Sequence, residues 1–286
     1  AWDAEKEKYW MPVDLYVGGS EHAVLHLLYA RFWHKVLYDA GKVSTPEPFM
    51  KLVHQGMILG ENGVKMSKSL GNVVNPDDVT SKYGADAFRV YEMFMGPLEE
   101  VKPWSTNGLI GTKRFIDRIW NLYARGISDE PLPAELRKKL HRTIKKVTGD
   151  IERMRFNTAI AAMMEMVNDA NKVEGLSREL AEPFAQLLAP FAPHLGEELW
   201  EILGHPPSVA LAPWPAWDEA ECIDNVVNYP VQVKGKVRGQ FEAARDASRE
   251  ELETLARAVP NVQRHLEGKT VRKVVVVPGK LVSFVV

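Results

Sequence analysis

The sequence predicts a multidomain chain of three successive parts: an α/β region, an all-α helical bundle and a small α+β module. Three observations carry that reading. Residues 1–104 are rich in Gly, aromatics and His, and an apolar strand candidate, Val13 to Val17, runs into Gly18-Gly19 and then a long apolar stretch, Ala23 to Leu37. Residues 105–222 carry apolar side chains at helical spacing. Residues 223–286 return to β-branched runs around one helix-like segment.

In the first part, a strand feeding a glycine turn and a helix is the α/β pattern, and Ala23 to Leu37 is apolar enough to predict a buried helix. In the second, Leu140, Ile144, Val147, Ile151 and Met154 mark one helix face. The pattern slips at Phe156 and restarts as Phe156, Ile160, Met163 and Val167, with Asn157 the expected N-cap. Leu180, Phe184, Leu187, Leu188 and Phe191 predict a third helix, punctuated by Pro190 and Pro193, and His194 to Leu203 a fourth. Pro206-Pro207 and Pro213-Trp214-Pro215 mark a linker. In the third part, Val231 to Val237, Val274 to Val277 and Val282 to Val286 are strand candidates, and Ser248 to Ala258 is helix-like.

The composition narrows the function classes. The 286 residues hold 36 basic and 38 acidic side chains, so a basic field over the whole chain is excluded. From Val226 onward, however, 11 basic residues face six acidic ones, which concentrates positive charge at the C-terminal end. Cys222 is the only cysteine, which excludes disulfide frameworks and cysteine zinc sites within the chain and fits a reducing cytoplasm. No apolar run approaches the ~18 residues of a membrane span, so no membrane partner is expected. The chain begins Ala1-Trp2-Asp3, which suits a fragment or a processed subunit.

Two motifs carry chemistry. Lys65-Met66-Ser67-Lys68-Ser69 places two ammonium groups and two hydroxyls within five residues, ahead of Gly71-Asn72. Such a loop can surround a polyphosphate with donors, and the glycine lets it move. A solvated Lys/Ser loop is the bland alternative. Gly18-Gly19-Ser20-Glu21-His22 follows a strand candidate, where glycines admit close approach of a nucleotide and a carboxylate can accept from ribose hydroxyls. His22 and His26 stand four apart, the spacing of a zinc pair, but no third ligand or downstream carboxylate pattern accompanies them. No metal site is therefore assigned, and a satisfied core histidine is the alternative for either residue.

The pentapeptide Lys65 to Ser69 is the KMSKS signature, and the chain resembles the leucyl-tRNA synthetases of class I. The resemblance rests on Met11-Pro12-Val13-Asp14, on Gly18-Gly19-Ser20-Glu21-His22-Ala23, and on Gln55-Gly56-Met57-Ile58-Leu59-Gly60 before the loop. It continues through Phe94-Met95-Gly96-Pro97-Leu98, Phe156-Asn157-Thr158-Ala159-Ile160 and Val233-Lys234-Gly235-Lys236-Val237-Arg238-Gly239 to the end of the chain.

The resemblance implies the second half of a Rossmann-type catalytic domain in residues 1–104, an anticodon-binding-type bundle in 105–222 and a tRNA-binding module in 223–286. It implies ATP with Mg²⁺, leucine and tRNA(Leu) as substrates and partners. Lys68, with Lys65 and Ser67, would act on the ATP phosphates, and Met66 and Ser69 would complete the ATP-binding loop. Gly19, Glu21 and Gln55 would hold the ribose, and Tyr16 and His26 would line the leucine pocket. The family's other signature, His-Ile-Gly-His, does not occur; His194-Leu195-Gly196-Glu197 lacks its second histidine. The editing insertion is also missing, and Ala1 is expected to lie just after it. An N-terminal half, on a separate subunit or in preceding sequence, is therefore an expected partner without which the chain is inactive. A tRNA-binding module without catalysis is the rival class, and a valyl, isoleucyl or methionyl relative the rival within the family.

Lys234, Lys236 and Arg238 are the expected tRNA contacts. They alternate along the Val231 to Val237 strand candidate and its continuation, which predicts that they share one face. Lysines protecting a sheet edge are the alternative.

Overall fold

A computed structural model describes residues 2–223 and 226–286; Ala1, expected to follow the editing insertion, and Asp224 and Asn225, beside the expected 222/223 boundary, lie outside the described residues. The chain divides into two compact units, Ala1–Trp217 and Asp218–Val286.

The first unit opens with helix α1 (Ala4–Trp10), capped by the Asp3 carboxylate, which accepts from the backbone N–H groups of Glu5 and Lys6. Strand β1 (Tyr16–Gly19), helix α2 (His26–Asp39) and strand β2 (Leu52–Gln55) follow, with β1 and β2 parallel in the register Tyr16↔Leu52 to Gly19↔Gln55. A helix joining two parallel strands is the crossover that such pairing requires. The strand begins three residues later than expected, because Val13 only bridges Phe49 before the chain turns.

Helix α2 departs from expectation. Only Leu27 and His34 are buried on it; Leu28, Tyr29, Phe32, Trp33 and Val36 are exposed, Trp33 at 60%. The helix is apolar around most of its circumference, as helices buried on all sides are. The described residues of this chain cover one side of it, where the His34 ring sits 2.7 Å from the Thr45 carbonyl.

Short strand β3 (Ile58–Leu59) leads into the Lys65–Ser69 loop and pairs in parallel with β4 (Lys102–Pro103), between which lie α3 (Pro76–Tyr83) and α4 (Ala85–Phe94). The bundle comprises α5 (Thr106–Tyr123), α6 (Ala134–Glu152), α7 (Phe156–Ala170), α8 (Arg178–Leu188) and α9 (Pro193–Ile202), with β5 (Ile127–Ser128) paired to β6 (Leu176–Ser177). Leu140, Ile144 and Val147 of α6 meet Ile160, Met163 and Val167 of α7 in one core, as their spacing predicts. Asn157 is not the N-cap. Met154, at φ +56°, closes α6; Arg155 takes the cap position without a side-chain bond, and Asn157 falls inside α7.

Helix α4 belongs to both halves of the unit. Its Val90 packs in the bundle core, while Tyr91 packs with Val79, Trp104 and Leu109. Asp86, buried on α4, accepts from the backbone N–H of Leu195 at 2.6 Å and of His194 at 3.4 Å, and lies 2.8 Å from the His194 ring. The Arg89 guanidinium donates to the carbonyls of Phe191 and Pro190. The histidine of His194-Leu195-Gly196-Glu197 thus serves the start of α9.

The second unit is a four-stranded sheet, order β8-β7-β10-β9, formed by β7 (Val226–Val233), β8 (Lys236–Ala244), β9 (Lys273–Val277) and β10 (Leu281–Val285). Helices α10 (Arg249–Ala258) and α11 (Pro260–Leu266) bury Leu252, Ala256 and Val262 against Tyr229, Val231, Val282 and Phe284. A capping box between Ser248 and Glu251 starts α10. The Val231 to Val237 run is a hairpin, not one strand. Lys234 (φ +52°) and Gly235 (φ +75°) form a two-residue turn with the primed geometry that suits hairpins. Pairing of Val231 with Gly239 and Gln232 with Val237 leaves Arg238 as a bulge. The expected alternation of Lys234, Lys236 and Arg238 on one face is therefore broken twice, by the turn and by the bulge.

Burial on α4 pushes the Glu92 carboxyl up to about 7 from its ordinary 4.5, against the pull of Lys102. A carboxyl raised by folding binds its proton more tightly in the native state, so stability falls as pH rises from about 4.5 to about 7. Glu92→Gln removes that cost. After discounting for partial exposure, the gain is on the order of 1 kcal/mol, or about 2–4 °C in Tm, at pH 8, and it vanishes near pH 4.5. Thermal melts of both proteins across that range check it, and a pH-independent difference overturns it.

Candidate functional site

The Lys65–Ser69 loop is built by its own side chains. Leu59 bridges Lys65, and Gly60 donates to the Val64 carbonyl at 2.9 Å, closing a short hairpin before the motif. Met66 turns inward and packs against the cluster of Val79, Tyr91, Trp104 and Leu109. Its side chain serves as an apolar anchor for the loop. Ser67 is extended (φ −148°), and its hydroxyl accepts from the Leu70 N–H, starting a single helical turn over Lys68–Leu70. Gly71, at φ +63°, ends the turn in the left-handed region that glycine tolerates. The Ser67 and Ser69 hydroxyls lie 3.1 Å apart.

Lys65 and Lys68 are exposed, and neither ammonium has a carboxylate partner among the described residues. The loop thus presents two unneutralised cations on a backbone fixed by Met66 from below. Outside the motif, Glu61 accepts from the Thr106 N–H at 3.1 Å and from its hydroxyl at 2.7 Å. These bonds hold the Glu61 carboxyl below its usual range and tie the loop stem to the start of α5.

A second cluster stands at the ends of β1 and β2. A cavity of about 350 Å³ is lined by Gly19, Glu21, His54, Gln55, Gly56 and Glu99, among others. The Glu21 carboxylate lies back over Gly19: a Cβ there would sit 2.2 Å from Oε2. Gly19 is required for that approach, since its φ of −64° is open to any residue. Three of the expected site residues, Gly19, Glu21 and Gln55, meet in this cavity. His54, Gly56 and Glu99 were missed. Gly56 had a signal in its place directly after Gln55, because its N–H donates to the Leu98 carbonyl at 2.7 Å and no side chain fits there. Glu99 had none, since the Leu98–Glu100 segment reaches the cavity only through that contact.

Tyr16 and His26 form a third group: the phenol oxygen is 2.8 Å from His26 Nδ1, and both rings contact Phe49 edge-on. His22 and His26 meet edge to face at 6.5 Å. The structure therefore joins the expected residues as Gly19–Glu21–Gln55, as Tyr16–His26 and as Lys65–Ser69. The loop and the tyrosine–histidine pair stand outside the cavity lining.

With that geometry in place, comparison with known proteins is informative. Residues 2–102 match the model of tRNA synthetases class I (I, L, M and V), and residues 134–254 match the anticodon-binding domain of tRNA ligase. A solved LeuRS of Agrobacterium radiobacter K84, crystallised as a ternary complex with tRNA and LeuAMS, superposes over 96% of this chain with TM-score 0.81 and 35% identity. The chain belongs to the class I tRNA synthetases.

The chain spans 38% of the length of that LeuRS. Two structures of Mycobacterium tuberculosis methionyl-tRNA synthetase with methionyl-adenylate share the fold at TM-scores of 0.53 and 0.55 and 21% identity, over 70% and 72% of this chain and 46% and 47% of theirs. The synthetase-type first region and the helical region thus follow each other as the sequence predicts. No helix among the described residues is long and apolar enough to cross a membrane.

Among the glycines of this synthetase fold Gly56 is the most crowded: a Cβ there would lie 1.8 Å from the Glu100 carbonyl oxygen. Backbone cannot swing aside as a side chain does, so Gly56→Ala is expected to cost about 1–3 kcal/mol. Gly111→Ala, where nothing lies within 4 Å of the added carbon, serves as the control and is expected not to lower Tm. Paired thermal melts check the contrast; equal Tm for the two variants contradicts it.

Proposed function

We propose that this chain is the KMSKS-bearing part of a leucine–tRNA ligase that condenses leucine with ATP and passes the leucyl group to tRNA(Leu). The observation that carries the proposal is the pair of unneutralised ammonium groups, Lys65 and Lys68, on a loop seated by Met66, in a chain 35% identical to a LeuRS over nearly its whole length.

In this reading Lys68, with Lys65 and Ser67, stabilises charge on the pyrophosphate as it leaves the α-phosphate. Ser69 supports Ser67 through their hydroxyl contact. Glu21 and Gly19 hold the ribose, with Gln55 across the cavity. Tyr16 and His26, locked together by their hydrogen bond, face the leucine side chain. No covalent enzyme intermediate is needed, because attack by the leucine carboxylate on the α-phosphate requires only alignment and charge stabilisation. Mg²⁺ enters as the companion of the ATP substrate. The His-Ile-Gly-His half of the site is supplied by a further segment, either preceding sequence or a separate subunit. The reaction belongs in the cytoplasm, with the rest of translation.

A tRNA-binding module without catalysis is the second reading, favoured by the basic C-terminal unit. It leaves the seated KMSKS loop and the Glu21–Gly19 contact without a physical purpose. Methionyl specificity is less well supported, since the methionyl structures share only 21% identity with this chain.

In the full-length enzyme, Lys68→Ala is expected to lower the rate of leucine-dependent ATP–pyrophosphate exchange by about 10²–10³, with little change in leucine KM. A rate within about twofold of wild type, less than ~0.5 kcal/mol in barrier, refutes the role of Lys68.

For the second unit we propose phosphate contact with tRNA, with Lys234 at the hairpin tip and Lys236 and Arg238 beside it. Deleting residues 226–286 is expected to weaken tRNA binding while sparing amino-acid activation. Lys234→Ala alone is expected to reduce the slope of log affinity against log salt by about one, as loss of one phosphate contact does. A salt titration of tRNA affinity decides; affinity and slope unchanged by the deletion leave these residues only edge protection.

A further inference from the structure

The loop that carries Lys65 and Lys68 encloses a side chain that has no part in the mechanism above. Asn72 lies just past the turn made by Gly71 and is half-buried inside the loop it follows. Its Oδ1 accepts from the Ser67 N–H at 2.9 Å. Its Nδ2 donates to the carbonyl oxygens of Lys65 at 3.3 Å and Val64 at 3.5 Å. The bonds fall on both sides of Met66, so one carboxamide grips the backbone before and after the partly buried anchor. Opposite it, a Cβ on Gly60 would lie 2.9 Å from Asn72 Nδ2, so the glycine leaves the space the amide fills.

A carboxamide is the side chain for this position. It offers one acceptor and two donors in a single plane; a carboxylate cannot donate and an alkyl group does neither. The contacts it makes are to backbone, which leaves the Lys65 and Lys68 side chains free to face outward.

We propose that Asn72 is a positioning residue for the adenylate-forming step, acting as a clasp that fixes the Lys65 and Lys68 backbone relative to each other. The proposal rests on the ligase reading above. Asn72 touches neither substrate nor reacting atoms; it acts through the two ammonium groups. Met66 sets the height of the loop above the helical core, Glu61 and Thr106 hold its stem, and Asn72 sets the separation of the two cations along it. Without the clasp, Lys68 still exists and still carries its charge, but its backbone wanders on the turn that Gly71 closes. Misplacement of a transition-state donor by about 1 Å is enough to cost up to ~10²-fold in rate.

The test is a double-mutant cycle in the full-length enzyme, read by ATP–pyrophosphate exchange. Asn72→Leu, close in shape but without hydrogen bonds, is expected to lower kcat by about 10- to 100-fold and to leave leucine KM within about twofold. The same change made in a Lys68→Ala background is expected to cost less than about threefold, because a clasp has little left to position once its cation is gone. A general structural role would instead multiply the two losses. If Asn72→Leu does not yield folded protein, Asn72→Ser, which keeps a small polar side chain too short to reach both strands, carries the same cycle. Losses that multiply, or a kcat for the Asn72 variants within about twofold of wild type while Lys68→Ala is impaired, overturn the clasp and leave the ligase reading standing. Exchange unaffected by Lys68→Ala itself overturns both.

Discussion

The buried Asp86 carboxylate is the interaction on which the first unit depends. It sits on α4 and neutralises the start of α9, some hundred residues away in sequence, by accepting two backbone N–H groups beside the His194 ring. Hydrogen bonds to a charged group contribute roughly 1.5–3 kcal/mol each, and an unpaired carboxylate in that place would cost more than they give. Arg89, one turn further along α4, reaches the carbonyls just before α9. The loop-bearing region and the helical bundle are thereby one body, although the sequence changes character between them.

That continuity gives the KMSKS loop its footing. Tyr91 of α4 and Trp104 stack edge-on at 4.9 Å, and Met66 rests against them. The Tyr91 hydroxyl accepts from the Ser105 N–H at 2.6 Å, which places the start of α5 where Thr106 can hold Glu61. Each contact is modest. Together they convert a short glycine-flanked segment, which would otherwise sample many conformations at a cost of about 1–2 kcal/mol per residue on ordering, into a shaped surface.

Much of this was legible in the residues. The helix pair α6–α7 followed from the three–four spacing of its apolar positions, and the ends of the small sheet from their β-branched runs. The Lys65–Ser69 loop stood out by residue type, whereas the Glu21 carboxylate lying over Gly19 is seen only in the fold. Three further features were not legible. Lys234-Gly235 as a hairpin turn was hidden because lysine is an unusual occupant of a left-handed position, so the surrounding valines looked like one strand. The Asn157 cap failed because the chain turns at the left-handed Met154 and the next helix takes Arg155 as its cap, two residues before Asn157. Glu99 reached the cavity through a backbone contact with Gly56, and no local pattern encodes a meeting between segments more than forty residues apart.

The exposed side of α2 has a consequence for handling the molecule. Leu28, Tyr29, Phe32, Trp33 and Val36 form a nearly unbroken greasy stripe, with Val24 and Leu25 just before it. Water gains nothing from solvating such a strip, and two copies lose less by pressing their stripes together than by leaving them wet. Handled alone, this stretch of chain is expected to be colloidally sticky, its dispersion depending on dilution, on mild detergent, or on a companion surface that shields α2.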